Sequence, residues 1–304
     1  MTSGPASAHS ISDDELLAVE SSFQQGLRDR SVAGLNVLGY GEIGLAIGWP
    51  FEEPRLVVKR LPSAPDPAES QILFDLIRRY EAAIAPHVHV TPTDHRTVVG
   101  DNGWTVPFLV QPLLARHTLT EVQLAESEPE VDHPMVVAVR DVALAAAADG
   151  RQALDGQFSN FAWDDGRLSF FDTGSPLLYE ANGDPVVEIG SYSRVLPAAL
   201  MPVVRRAIVK VAREMAGPEG ALMHAAMSVV RIEQRRWLDA VLATFNQALD
   251  QPITADQIDA KLGRTHNDMK LIKRAARVQR AWATNVRRRP YDSFITDSFT
   301  YEIL

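Results

Sequence analysis

The stretch Asp155-Gly156-Gln157-Phe158-Ser159-Asn160-Phe161-Ala162-Trp163-Asp164-Asp165-Gly166-Arg167-Leu168-Ser169-Phe170-Phe171-Asp172-Thr173-Gly174 decides how the rest of the chain is read. It sets Asp155 and Asn160 on a tight loop, continues through two short apolar runs, and ends on Asp172-Thr173-Gly174. Between the runs sits Asp165-Gly166. A two-residue primed turn needs positive φ, which Gly supplies without steric cost, so this dipeptide predicts a β-hairpin. Such a hairpin returns Asn160 and Asp172 to the same end. Their oxygens, beside the Asp155 carboxylate, suit a hard cation and leave one carboxylate to orient a hydroxyl. Taken alone, the same residues also fit an ordinary hairpin with solvated acids at its ends.

Composition narrows the choices around that stretch. The 304 residues suffice for one large domain or two modest ones, and 46% hydrophobic with 23% charged residues is ordinary for a globular chain. With 39 acidic against 30 basic residues the net charge is -9, which argues against nucleic acid or an anionic membrane as a whole-surface partner. Cys is absent, so disulfides, thiolate metal sites and Cys nucleophiles are excluded. The polar start, Met1 to Ser10, has no apolar signal core, and no apolar run approaches the ~20 residues of a membrane span. The expectation is a cytoplasmic protein.

Working outward toward the N-terminus, Ser12 and Glu15 have the spacing of a capping box ahead of Leu16, Leu17, Val19, Phe23 and Leu27, which predicts an amphipathic helix without chemistry of its own. Residues 35–61 read as three strands. Gly39, Tyr40, Gly41 and Gly44 lie between the first two, a G-x-G-x-x-G followed by a strand-like run and then Pro50 and Pro54. A dinucleotide-binding fold needs a helix to open at those glycines, so that reading fails. A hairpin whose backbone amides approach nucleotide phosphates remains. Lys59 ends the third strand in Val57-Val58-Lys59, and a helix from Pro67 to Ala85 carries Glu69 and Glu81. Strands over 88–99 and 105–110 flank the turn Asp101-Asn102-Gly103. Gln111-Pro112-Leu113 then hands over to helices, at 118–126 and 134–148.

This order resembles the protein-kinase-like superfamily, and in particular its aminoglycoside phosphotransferase and choline kinase-like branch. In that family a D-x-x-x-x-N loop and a later D-F-G triplet carry the chemistry. The matching residues are Asp155, Asn160 and Asp172, and Val57-Val58-Lys59 resembles the strand that carries the family's phosphate-binding Lys. The chain departs from the pattern at Ala153, where the family has His, and at Thr173, where it has Phe. The resemblance implies an α+β, bilobal protein-kinase-like fold: a small antiparallel β lobe with one helix at 31–111 and a larger, mainly helical lobe at 112–304, preceded by an extension at 1–30.

It also implies ATP and Mg²⁺ as cofactors, and transfer of the γ-phosphoryl to a small-molecule hydroxyl substrate. Asp155 would be catalytic and Asn160 and Asp172 would be the metal ligands. Gly39, Tyr40, Gly41, Gly44 and Lys59 would contact phosphate, with Glu69 or Glu81 pairing the Lys. Gln111 and Leu113 would lie at the adenine. The alternative reading is a nucleotide-binding pseudokinase or regulatory module.

Beyond Asp172 the pattern predicts helices at 197–216, 219–248, 255–262 and 267–286, with Thr254 and Gln257 as a second capping box. His224 and His266 read as structural. The last helix is dense in Lys270, Lys273, Arg274, Arg277 and Arg280 and runs to Arg287, Arg288 and Arg289, a solvated basic face or a docking surface.

Overall fold

The computed structural model describes residues 10–29, 31–40, 44–186 and 201–286. The fold is α+β, with a mostly antiparallel set of strands followed by helices. Helix α1 (Asp13–Asp29) opens on the anticipated capping box. The Ser12 amide and hydroxyl donate to Glu15 Oε2 at 2.8 Å, and the Glu15 amide donates to Ser12 Oγ at 3.3 Å.

Strands β1 (Val37–Tyr40), β2 (Leu45–Trp49), β3 (Leu56–Arg60), β5 (Asp94–Val99) and β6 (Thr105–Pro112) form one antiparallel sheet in the order β1-β2-β3-β6-β5. Leu16, Val19 and Phe23 of α1 pack against Val37, Ile47, Val58 and Phe108 of this sheet. Alternation along β3 turns Leu56, Val58 and Arg60 toward α1 and leaves Val57 and Lys59 on the opposite face. Arg60 is 2% exposed. It forms a two-pronged ion pair with Glu20, Nε–Oε2 2.9 Å and Nη2–Oε1 3.0 Å, and stacks 4.3 Å from the Phe23 ring.

Helix α2 (Pro67–Ile84) starts where Asp66 accepts the Ala68 amide at 2.9 Å and Pro67 takes the first position. It joins two cores. Leu73, Phe74 and Ile77 pack on Leu61 and Leu109, while Leu76, Tyr80 and Ile84 enter the large helical core. That core is built on α4 (Pro134–Ala147) and α6 (Pro218–Arg231), with α3 (Thr120–Glu126), α5 (Met201–Met215), α7 (Leu238–Asn246) and α8 (Ala255–Asn285) around them.

The hairpin of β7 (Phe161–Asp164) and β8 (Arg167–Phe170) closes through Asp165, φ 47°, and Gly166, φ 77°, as the turn chemistry required. Short β4 (His89–Val90) adds to β8 in parallel. Strands β9 (Leu178–Tyr179) and β10 (Pro185–Val186) pair with each other.

Three expected helices differ from those found. The predicted run 219–248 breaks after Arg231 because Glu233 takes φ 61°, and the chain resumes at Leu238. The predicted pair 255–262 and 267–286 is one helix, α8: Gly263 does not interrupt it, and both reciprocal bonds of the Thr254–Gln257 capping box are present. The start of the expected helix at 197 and residues Arg287 to Arg289 lie outside the described residues, as does Gly41. Among the described residues no helix is long and apolar enough to cross a membrane.

Candidate functional site

The hairpin brings the chosen acids together. The Phe171 amide donates to the Asn160 carbonyl at 3.1 Å, so Asn160 and Asp172 sit at one end of the ribbon beside the Asp155 loop. Lys59 reaches this end from the sheet and is hydrogen-bonded to the Asp172 carboxylate. Gly174 leaves room for it, while Gly44 lies at ordinary contact distance. A Cβ on Gly174 would lie 3.0 Å from Lys59 Nζ, and one on Gly44 would lie 3.5 Å from Lys59 Cε. Gly39 and Tyr40 belong to β1, which pairs with β2 through Gly39–Ala46 and Tyr40–Leu45.

The Asp155 loop is held by backbone and side-chain hydrogen bonds. Ala153 is fully buried with Tyr179 and Ala212, and its amide donates to the Leu177 carbonyl at 3.0 Å. The Phe158 amide donates to Ser228 Oγ at 3.0 Å, and the Thr120 hydroxyl donates to the Phe158 carbonyl. Asn160 Nδ2 donates to the Asp155 carbonyl at 3.3 Å. Gln157 Nε2 donates to Asp155 Oδ2 at 2.7 Å, and Gln157 Oε1 accepts from Arg231 Nη1 at 3.2 Å. Burial pushes the Asp155 carboxyl up, and the Asp172 charge adds to the rise. The Gln157 hydrogen bonds and the Arg231 charge pull the other way.

Neither glutamate of α2 pairs Lys59, which corrects that expectation. Asp172 takes the ammonium, and Glu81 Oε1 instead accepts the Thr173 hydroxyl at 2.8 Å with His95 Nε2 3.4 Å away. Glu69 lies in the first turn of α2, where a carboxylate complements the helix dipole. At the expected adenine position, Gln111 and Leu113 have hydrogen-bond partners within the protein. The Leu113 amide donates to the Arg55 carbonyl at 2.9 Å, and Gln111 Nε2 donates to Thr93 Oγ1 and to the Phe171 carbonyl, each at 2.8 Å. Gln111 therefore ties the sheet to the hairpin one residue from Asp172.

Residues 27–283 match DUF6206, described as a family of unknown function. The chain belongs to this family. No curated protein matches it. The DUF6206 match takes in every part of the cluster, from Gly39 through Lys59 to Asp172.

Sequence reading of this DUF6206 chain missed Tyr80, Gln157, Thr173 and Arg231 as parts of the site. Tyr80 looked like one more apolar position of α2. It is wholly buried beside the Asp155 backbone, and burial with the nearby charges of Asp155 and Asp172 pushes its phenol well up. Gln157 carried a usable signal, since its place inside the loop two residues after Asp155 puts its amide in reach of that carboxylate. Arg231 carried none, because only folding brings the end of α6 to the loop.

Proposed function

We propose that this DUF6206 protein is an ATP-dependent phosphotransferase of bilobal, protein-kinase-like build that passes the γ-phosphoryl group to the hydroxyl of a small molecule. The observation that carries the reading is the convergence of Asp155, Asn160 and Asp172 at one end of the hairpin, with Lys59 bonded to Asp172. An antiparallel sheet with one helix, followed by helices that carry the hairpin, supports the bilobal arrangement.

The donor set fits a hard cation. Asn160 uses its Nδ2 and keeps its side-chain oxygen for a ligand, and Asp172 offers a carboxylate whose present counter-charge is Lys59. Mg²⁺ at these two residues would supply neutralisation of charge on the phosphates of ATP. Lys59, turned from Asp172 to phosphate, would hold the nucleotide with the amides around Gly39 and Gly44. Asp155 accepts the hydrogen bond of the acceptor hydroxyl and takes its proton as the new O–P bond forms. The bond from the γ-phosphorus to the bridging oxygen breaks, and ADP leaves. Few protein groups are needed, because such catalysis is mostly positioning and charge stabilisation.

Thermal shift with ATP and Mg²⁺, followed by ATP consumption against a panel of hydroxyl compounds, tests the reading. A stabilising shift with acceptor-dependent ADP release is the expected result; no shift with the nucleotide sinks it. A second reading, nucleotide binding without transfer, is favoured by the Gln157 amide on the Asp155 carboxylate and by Ala153. It predicts the shift without the ADP.

A further inference from the structure

Helix α6 runs directly along the Asp155–Asn160 loop. A Cβ on Gly156 would meet the Ala225 Cβ at 3.1 Å, and Ser228 receives the Phe158 amide. Ala221, Ala225 and Ser228 thus form the stripe that touches the loop, and His224 and Arg231, seven residues apart, fall on the neighbouring stripe. Arg231 is half-buried at the end of that stripe, one side chain away from the Asp155 carboxylate through Gln157. A guanidinium has five N–H donors. The hydrogen bond to Gln157 uses one of them, and no described carboxylate lies within ion-pair distance of Arg231.

Arg231 and Lys261 both lie close enough to His224 for their charges to act on its ring. Lys261 of α8 reaches across to Glu214 of α5 at 2.8 Å with its side chain 20% exposed. Glu214 also borders a surface hollow of about 380 Å³ lined by Arg206, Lys210 and Arg213. His224 is 8% exposed, and its Nε2 is buried without a partner. Lys261, Lys210 and Arg213 are already paired with Glu214 or Asp184, so the guanidinium of Arg231 is the charge that a cationic acceptor would meet. An oxyanion would find a guanidinium fork, the group best shaped to bind carboxylate or phosphate in two-pronged fashion.

We infer that the acceptor is an alcohol that also carries an oxyanion, a carboxylate or a phosphate, held by Arg231 with His224 and Lys261 alongside while its hydroxyl faces Asp155. Asp155 and Asp172 would repel the anion from the hydroxyl end, so the two groups of the acceptor sit on opposite sides of Gln157. The fate of the hydroxyl rests on the phosphotransferase reading; anion binding at Arg231 does not. His224 fits the role as a neutral ring, since burial holds its imidazole down to about 3 and the charges of Lys261 and Arg231 add to the depression.

Calorimetric titration of the full chain, with and without Mg·ADP, tests this with four probes: glycerate, glycerol 3-phosphate, glycerol and choline. Binding of at least one anionic alcohol at millimolar concentration or below, tighter than glycerol and choline, is expected. Arg231→Gln should weaken it roughly 10- to 100-fold, the loss of a charge-assisted contact. Arg231→Lys, which keeps the charge without the fork, should fall between. Arg235→Gln removes a cation four residues on that is already paired with Asp259, and should change nothing. Melting curves of each variant separate lost binding from lost folding. The inference is overturned by glycerol or choline binding as tightly as the anions, by Arg231→Gln retaining anion affinity, or by neither anion binding at all. Absence of Mg·ADP binding in the same titrations would count against the phosphotransferase reading alone.

Discussion

Lys59 is the residue on which sheet and hairpin meet. Gly174 leaves its side chain a passage that a Cβ would narrow, and its ammonium has Asp172 as counter-ion. Lys59→Ala should weaken Mg·ATP binding by about tenfold or more, as expected for a lost charged hydrogen bond, measured by titration calorimetry. Unchanged affinity would remove Lys59 from the phosphate site. Asp155 gives a different signature. Asp155→Asn should leave Mg·ATP binding nearly intact and lower turnover by about 10²- to 10⁴-fold, because proton acceptance matters only in the transition state. Its carboxyl is pushed up by burial and by Asp172, and a general base works only when ionised. The acid limb of kcat/KM should therefore lie above the ordinary carboxylate range. Gln157→Ala removes the side-chain hydrogen bond that favours the ionised form and keeps the backbone one, so the limb should move to still higher pH. A downward move would show that Gln157 does not steady that carboxylate.

At the scale of elements, the hairpin was legible in the sequence because its turn has a strict chemical requirement, and Asp165 and Gly166 both take the positive φ it demands. The capping boxes at Ser12 and Thr254 were legible for the same local reason. What the sequence hid was every choice among distant partners. Glu69 and Glu81 looked equivalent for Lys59, yet Thr173 takes Glu81 by a bond between α2 and the turn after β8 that no spacing could announce. The break after Arg231 depends on a single positive φ at Glu233, a residue type with no preference for it. The missing loop His also reads differently with neighbours in place. Ala153 is sealed against Tyr179 and Ala212, so Ala153→His would overpack the site and destabilise the fold by about 1 to 3 kcal/mol rather than restore a helper. A denaturation curve of that variant matching wild type would contradict this packing argument.

Across the whole molecule, a buried His and a half-buried Glu on different helices have opposite effects on acid stability. His224 on α6 has its imidazole held down to about 3 by burial and by Lys261 and Arg231, against an opposing pull from Glu214. Below its ordinary value of 6.5 the unfolded chain takes up a proton that the folded chain refuses, so stability falls as pH falls. Glu121, in the first turn of α3, is pushed up to about 7 by burial alone. Between that value and its ordinary 4.5 the folded chain holds a proton that the unfolded chain has lost, so stability rises as pH falls. From pH 6.5 to 4.5 both apply. Each amounts to about 2 to 3 kcal/mol over that window at ~1.4 kcal/mol per pH unit, with the Glu121 share reduced by its partial exposure. The wild-type stability should therefore change little across the window. His224→Leu should leave the Glu121 contribution alone and give a protein that grows more stable on mild acidification, while Glu121→Gln should give one that grows less stable. Urea denaturation at several pH values reads the slopes directly, and variants that share the wild-type slope would mean that neither side chain is held away from its ordinary protonation by the fold.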